Sequence, residues 1–270
     1  MDVAVVQFAA GTDKSANLAT VAQSVARAAA AGAELIISPE AAMHPFGSPG
    51  DRLATLAEPL DGAFVAGLVA AAAEHGVTVV AGMFESVPGD SSKAYNTVVA
   101  VNAGGLIGRY RKLHLFDALG WTESSSLARG EFDVSELLVF GCGEFTVGVL
   151  TCYDVRFPEF VRALVDRGVT LLALPSAWVG GPLKEEQWST LVRARAIEST
   201  AYVAAADQCP PTYAGRSMVV DPVGVPLAQL ADGAGIALAE VTASRVAEVR
   251  KRMPSLRHRR YRVEPVSERQ

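Results

Sequence analysis

The sequence has few features of secreted, membrane or metal-binding proteins. Its three cysteines, Cys142, Cys152 and Cys209, form no CxxC pair, and its four histidines form no HxxxH pair. Neither a disulfide framework nor a zinc site is indicated, and we expect no metal. No apolar stretch approaches the ~20 residues that span a bilayer, and residues 1–10 lack the basic and apolar regions of a signal peptide. These absences predict a cytoplasmic protein that does not enter a membrane.

The loops that mark several large enzyme classes are also missing. GSPG at Gly47 is not a GxSxG elbow, AGGLIG at Ala103 is not GxGxxG, and no Walker A sequence occurs. A net charge of -5 argues against a nucleic-acid partner, although RKRMPSLRHRRYR near the C-terminus is locally basic. We expect this basic segment to pack on the parent domain or on a partner subunit.

Length and composition favour one compact domain. The chain has 270 residues, of which 50% are hydrophobic and 20% charged, so it can bury a sizeable core. No Pro/Ser-rich or strongly charged linker marks a boundary. We predict a single domain over residues 1–262, followed by a C-terminal tail over 263–270.

Strand-like and helix-like segments alternate, and their order is repeated. GAELIISPE resembles GVTLLALPSA, and VVAVNAGGLIG resembles MVVDPVGVPLA, which indicates two βαβαββ halves related by an approximate two-fold. We predict helices over 15–31, 61–75 (capped by Asp61), 157–167 and 182–200. Strand–helix alternation implies two mixed sheets with helices on their outer faces, and thus a four-layer α/β/β/α sandwich.

Three ionisable residues follow apolar, strand-like runs. Glu40 ends LIISPE, Lys112 lies in GRYRKLHLF, and Cys152 lies in VGVLTCYD just before a helix start. The repeat places Glu40 and Cys152 at strand ends, where α/β sheets bind ligands, and a helix start favours the thiolate. Taken singly, each residue also fits a plain role: a small core residue, a helix cap and a solvated surface lysine.

Together, the three residues suit covalent hydrolysis of a carbonyl compound. Glu40 would take the thiol proton, and Lys112 with the N–H of Tyr153 would bind the oxyanion, each such donor contributing ~3–4 kcal/mol. Neither a metal nor an organic cofactor is required.

The motifs SPE, RKLHLF and TCYDVRFPE, in this order, resemble the Glu-Lys-Cys signatures of the nitrilase superfamily of carbon–nitrogen hydrolases. YNTVVAVNAGGLIGRYRKLHLFD, SAW, RARAIE and RSMVVDPVG resemble further landmarks, so the similarity covers nearly all of residues 3–261. The resemblance implies a general base at Glu40, an oxyanion-binding cation at Lys112, a nucleophile at Cys152, and a second glutamate, Glu123, that orients lysine and substrate. It also implies the sandwich fold and a homodimer with the C-terminal tail at its interface.

The residues after the cysteine point to a branch of this family. CYDVRFPE is similar to the ω-amidases and deaminated-glutathione amidases, whereas true nitrilases usually have Trp-Glu there. The expected reaction is cofactor-independent cleavage of a small, carboxylate-bearing linear amide, at a non-peptide bond, to acid and ammonia. Tyr153, Arg156 and Trp178 are the candidate substrate-binding residues. Arg156 is expected to attract the carboxylate, with an ion pair to Glu159 or Asp154 as the alternative.

Four departures from the family pattern leave the substrate open. Trp178 replaces Phe, Gln187 replaces the His of a His-Trp pair, Ser199 replaces Asn and Arg216 replaces His, all expected around the pocket rim. Two other functions remain: hydrolysis of an N-carbamoyl compound or nitrile, or a non-catalytic scaffold. The second is disfavoured because unpaired buried charges are costly to keep.

Overall fold

The computed structural model describes residues 1–47, 52–131 and 133–264. The described residues form six α-helices: α1 (Lys14–Ala30), α2 (Leu53–Leu56), α3 (Ala63–His75), α4 (Pro158–Asp166), α5 (Lys184–Ser199) and α6 (Ala243–Arg252). The strands of the first half are β1 (Asp2–Gln7), β2 (Leu35–Ile37), β3 (Thr78–Val87), β4 (Asp90–Asn102), β5 (Gly105–Arg111) and β6 (Leu127–Ala128). Those of the second half are β7 (Val139–Cys142), β8 (Phe145–Val149), β9 (Leu171–Pro175), β10 (Tyr202–Ala206), β11 (Met218–Val220), β12 (Pro226–Gln229) and β13 (Gly235–Glu240).

The strands form two mixed sheets with matching topology. The first has the order β13-β1-β2-β3-β4-β5, with β6 beside β4, and the second has the order β12-β11-β10-β9-β8-β7. In each sheet three parallel strands, β1-β2-β3 or β8-β9-β10, are flanked by antiparallel strands. The predicted internal repeat and the two mixed sheets are confirmed.

Alternating side chains of each strand separate the layers. In β1, Val3 and Val5 belong to the core cluster that joins the two sheets, whereas Ala4 and Val6 pack in the cluster formed with α1 and α3. Helices α4 and α5 pack on the second sheet, where α4 contacts β8 and α5 contacts β10. The resulting order of layers is helix, sheet, sheet, helix, as predicted.

Two predicted details, a hairpin and a helix cap, have opposite outcomes in the structure. The hairpin between β4 and β5 is confirmed, since Asn102 pairs with Gly105, whose φ of 110° suits glycine. The cap proposed at Asp61 is wrong, because α3 begins at Ala63 and Gly62 occupies the cap position. The carboxylate of Glu58 accepts a hydrogen bond from the N–H of Phe64 at 2.9 Å, so Glu58 rather than Asp61 binds a free N–H group at this helix start.

The loops after β2, β8 and β9 carry the predicted site residues Glu40, Cys152 and Trp178. These parallel strands end at Ile37, Val149 and Pro175, and their carboxyl ends open into one cavity. No helix among the described residues has the length and apolar character needed to cross a bilayer. The domain limits 1–262 stay a prediction, and most of the predicted tail, residues 265–270, lies outside the described residues.

Candidate active site

Glu40 is held by a close approach between two segments of backbone. Its loop follows β2, and the N–H of Gly82 in β3 donates a hydrogen bond to the carbonyl of Pro39 at 3.0 Å. A Cβ atom at Gly82 would lie 2.6 Å from the Glu40 Cα, so only glycine lets the chains come this close. The side chain of Glu40 is fully buried. Its position is therefore fixed by the sheet beneath it.

Lys112 places a buried ammonium group between two carboxylates. It follows β5, and its Nζ donates to Glu40 Oε1 at 2.9 Å and to Glu123 Oε2 at 2.9 Å. Burial disfavours its charge, but the carboxylates of Glu123 and Glu40 outweigh that effect and raise the pKa of Lys112 well above its ordinary value. The group is therefore a fixed positive charge at the base of the cavity.

Asn96 joins the two glutamates and was missed by the sequence analysis. Its side-chain Nδ2 donates to Glu40 Oε1 at 2.7 Å and to Glu123 Oε1 at 2.9 Å, while its backbone carbonyl accepts from the N–H of Lys112. Glu123 is fixed further by the N–H of Phe116, which donates to its Oε2 at 2.5 Å. A buried amide in the otherwise apolar part of β4 was the signal that could have revealed this residue.

Cys152 begins a short 3-10 turn, Cys152–Arg156, directly after the loop that follows β8. Its φ angle of 47° lies in the left-handed region, a strained conformation that clusters at functional sites. The Asp154 carboxylate accepts from the N–H of Thr151 at 2.9 Å, and the N–H of Asp154 donates to the Thr151 carbonyl, which closes the turn. Asp154 also accepts from Tyr110 Oη at 2.7 Å. These contacts fix the backbone on either side of the thiol.

The Cys152 thiol is 7% exposed, and its surroundings favour the neutral form. Burial and the negative charge of Glu40 raise its pKa well above the ordinary value, against smaller opposing effects of Lys112 and the N–H of Ala177. Burial therefore outweighs the stabilisation of the thiolate that the helix start was expected to supply. Attack by this sulfur requires a base.

Loops of the second half complete the surroundings of Glu40. The N–H of Ala177, just after β9, donates to Glu40 Oε2 at 2.7 Å, so both oxygens of this carboxylate are hydrogen-bonded. The next N–H, that of Trp178, donates to Asp207 Oδ1 at 2.7 Å. Burial raises the pKa of Asp207 well above its ordinary value, although hydrogen bonds from backbone N–H groups oppose this.

These groups open into a cavity of about 550 Å³, a volume typical of small-molecule sites. Six of the seven predicted site residues line it: Glu40, Lys112, Glu123, Cys152, Tyr153 and Trp178. Lys184 and Tyr213, which no sequence motif indicated, also contribute to the wall. No group of three or more His, Cys, Asp or Glu residues within the described ranges is arranged to hold a metal ion.

Arg156, the seventh predicted residue, lies behind the wall rather than in it. Its guanidinium donates to Gln187 Oε1 at 2.6 Å and stacks 4.8 Å from the centroid of the Trp178 ring. The alternative partner Asp154 is occupied by Tyr110 and His114. Direct contact between Arg156 and a substrate stays a prediction.

Of the four positions expected at the rim, Trp178 alone lines the cavity. Ser199 is fully buried at the end of α5, so its predicted place at the rim is wrong. Gln187 accepts a hydrogen bond from Arg156. Arg216 lies outside the lining, where its guanidinium is 3.4 Å from the carboxylates of Glu185 and Asp232. Gln187 and Ser199 both lie on α5, and neither lines the cavity.

Comparison with known proteins agrees with this geometry. A family model described as carbon–nitrogen hydrolase matches residues 2–251. A deaminated glutathione amidase of Escherichia coli O157:H7 is 38% identical over 261 residues, covering 97% of this chain and 98% of the relative. A human protein of the same name is 35% identical over 274 residues, covering 96% and 82%.

Two solved structures share the fold over nearly all of their length. A carbon–nitrogen hydrolase superfamily protein of Xanthomonas campestris, with an arsenic adduct in its active site, has a TM-score of 0.86, 26% identity and 98% coverage of both chains. A mutant amidase of Nesterenkonia sp. AN1, with acrylamide added to its active-site cysteine, has a TM-score of 0.80 and 27% identity, covering 94% of this chain and 98% of that one.

The sandwich and the cavity with its buried Glu, Lys and Cys side chains define a hydrolase of the nitrilase superfamily. More particularly, the chain belongs to the carbon–nitrogen hydrolase family. It is an amidase-type enzyme that acts on carbon–nitrogen bonds other than peptide bonds.

Proposed function

We propose that this enzyme cleaves a small, carboxylate-bearing linear amide to the acid and ammonia through a thioester on Cys152. The observation that carries the proposal is the buried Lys112, bound to Glu40 and Glu123 in the same cavity as the thiol. A base, a fixed cation and a nucleophile thus face one space. Glu40, Lys112 and Cys152 form the proposed triad.

In the proposed first half-reaction, Glu40 takes the proton of the Cys152 thiol as the sulfur bonds to the amide carbon. The carbonyl electron pair moves to oxygen, where the Lys112 ammonium and the N–H of Tyr153 bind the negative charge. The electron pair then re-forms the carbonyl as the carbon–nitrogen bond breaks. Glu40 returns its proton to the nitrogen, ammonia leaves, and an acyl thioester remains.

In the second half-reaction, Glu40 takes a proton from water as the water oxygen bonds to the thioester carbon. Lys112 and the N–H of Tyr153 bind the second oxyanion in the same way. The carbon–sulfur bond breaks, the acid leaves, and Glu40 returns the proton to sulfur. Glu123 and Asn96 keep the lysine and the base in position throughout.

The relatives support the choice of an amide. The similar proteins of Escherichia coli and human bear the name deaminated glutathione amidase, and the Nesterenkonia neighbour is an amidase with a reactive active-site cysteine. This chain carries a cysteine, a glutamate and a lysine in one cavity, as such chemistry needs. An N-carbamoyl compound or a nitrile is the alternative substrate, and a non-catalytic scaffold is disfavoured by the retained charged cluster.

Ammonia release from a panel of amides tests the proposal. The wild type should release ammonia from α-ketoglutaramate or deaminated glutathione, and Cys152→Ala should lose at least about 10⁴-fold in rate while keeping its fold by circular dichroism. The matched control is Cys209→Ala, since Cys209 is a buried cysteine outside the cavity lining. Undiminished turnover in Cys152→Ala would refute the thioester. Carbon dioxide released with the ammonia would instead identify a carbamoyl substrate.

We further propose that the enzyme is a cytoplasmic homodimer that binds a small molecule rather than nucleic acid. The segment after α6 is basic and exposes Met253, and the groove at Arg250 and Leu256 suits a contact between subunits. Analytical ultracentrifugation should give twice the chain mass, and Met253→Glu should shift the protein toward the monomer. A monomeric wild type at micromolar concentration would contradict the dimer. Cell fractionation tests the location.

A further inference from the structure

The cavity contains a second lysine, and no carboxylate within the described ranges forms an ion pair with it. Lys184 is the first residue of α5 and is 6% exposed, and it lines the same cavity as Cys152. Among the described residues its ammonium has no hydrogen-bond or ion-pair partner. A lysine this well covered is almost always paired. Lys184 therefore presents an uncompensated positive charge to whatever enters the cavity.

Aromatic rings hold this ammonium in place without neutralising it. Its Nζ lies 4.2 Å from the centroid of the Trp178 ring and 5.3 Å from that of Phe116, within the range of cation–π contacts. The lysine backbone is fixed as well, since Trp178 Nε1 donates to its carbonyl at 2.9 Å and its N–H donates to Gly181. The group is pre-organised rather than free to turn into solvent.

The electrostatic surroundings favour an anion beside this lysine. Burial and the positive charge of Arg156 lower the pKa of Lys184, against opposing effects of Cys152 and Asp207. An anion bound at the ammonium would stabilise the charged form of Lys184 and so offset the effects of burial and of Arg156. The hydrogen-bond partner of Arg156 is the neutral amide of Gln187, so this contact leaves the positive charge of Arg156 uncompensated.

We propose that the Lys184 ammonium binds the substrate carboxylate, with Trp178 and Phe116 as the walls of that subsite. This inference rests on the proposed amidase function and deepens it. The substrate would be a linear amide whose carboxylate lies at the end of the chain opposite the scissile amide. Lys112 binds the oxygen at the reacting carbon, whereas Lys184 selects the molecule by its remote charge. Arg156, behind Trp178, adds positive potential without contact.

Two substrates that differ only in this charge test the proposal. Glutaramate carries a carboxylate at the end of its chain, and pentanamide has a methyl group in its place. We expect Lys184→Met to lower the ratio of kcat/KM for glutaramate to that for pentanamide about 10-fold to 100-fold, chiefly through KM. Lys184→Arg should recover most of the ratio because it restores a cation.

Two matched variants give the comparison its controls. Arg27→Met removes a charge from the exposed surface of α1 and should leave the ratio unchanged. Arg156→Met should lower it less than Lys184→Met does. An unchanged ratio in Lys184→Met, or an equal or larger fall in Arg156→Met, would overturn the assignment of the carboxylate to Lys184.

A binding measurement separates failure of this proposal from failure of the amidase function. Binding can be measured in Cys152→Ala, which does not need to turn over. Calorimetry should detect the binding of glutarate to this variant, and adding Lys184→Met should weaken the affinity about 10-fold or more. Equal affinity with and without Lys184 would overturn the proposal even if the enzyme is an amidase. If the wild type hydrolyses neither amide, the function fails for these substrates, and weaker glutarate binding in the double variant still supports the anion site.

Discussion

The two halves of the sandwich contribute different kinds of side chain to the same cavity. The first half brings Glu40, Lys112 and Glu123, whose charged atoms bind one another. The second half brings the thiol of Cys152, whose pKa is raised, and the ammonium of Lys184, which has no ion-pair partner among the described residues. Two halves of similar topology thus differ in their electrostatics. The charges of the first half are paired with one another, whereas the ammonium of the second half is available to a ligand.

The two lysines express this difference most directly. Two carboxylates raise the pKa of Lys112, whereas burial lowers that of Lys184. A paired cation is a stable part of the protein, while an unpaired one gains a partner only when an anion binds. We therefore assign chemistry to the first half and, apart from the nucleophile, substrate selection to the second.

Among changes to the first half, the largest expected effect comes from removing its base. Glu40→Gln keeps the size of the side chain but cannot take a proton from the thiol, so kcat should fall about 10²-fold to 10⁴-fold. Iodoacetamide labelling should also begin at lower pH than in the wild type, because the negative charge of Glu40 raises the pKa of Cys152. The surface variant Glu144→Gln is the control. Wild-type activity in Glu40→Gln would remove the base from the mechanism.

A methyl group beneath Glu40 tests how strictly the first half must be positioned. The new Cβ in Gly82→Ala would lie 2.6 Å from backbone atoms of Glu40 and Ala41, so the loop must move. Displacements near 1 Å can cost about 100-fold in rate, and we expect a loss of that size measured as kcat/KM. Gly141→Ala in β7 is the matched control, since no atom lies within 4 Å of its Cβ position. Equal activity of the two variants would contradict the close fit.

A smaller, pH-dependent effect on stability is expected at Asp207 in the second half. Its folded-state pKa is raised above the ordinary value of 3.8, so the stability supplied by its neutral form is present below that value and is lost as pH rises through the folded pKa. Asp207→Asn stays neutral. Urea denaturation should therefore show that the stability of the variant relative to the wild type increases as pH rises above 3.8, by at most about 1.4 kcal/mol per pH unit.

Asp61→Asn, on the exposed surface before α3, is the control for this trend. A difference between Asp207→Asn and wild type that stays constant or shrinks with rising pH would show that Asp207 is ionised in the folded protein. The second half would then contain a compensated carboxylate, as the first half does.

The sequence predicted the layers and most of the site because these depend on local pattern and repetition. Strand–helix alternation fixed the two sheets, and the ordered motifs located Glu40, Lys112 and Cys152, which the loops after β2, β5 and β8 bring to one cavity. Glu123 was located by resemblance alone, since nothing in GWTESSSLARG indicates that its carboxylate would reach a lysine.

The remaining features depend on how loops pack, which no local pattern specifies. The direction of the turn after Cys152 sends Arg156 toward Gln187, and the loop before α5 brings Lys184 over Trp178 instead. The burial that raises the pKa of Cys152 likewise depends on how both halves pack around the thiol.

Intact-mass analysis after rapid acid quenching tests the central claim most directly. During turnover of glutaramate or another accepted amide, the wild type should gain the mass of the substrate less ammonia, located by digestion on the peptide that contains Cys152. Cys152→Ala should gain no mass. Turnover without any adduct at Cys152, or an adduct on another residue, would contradict the thioester.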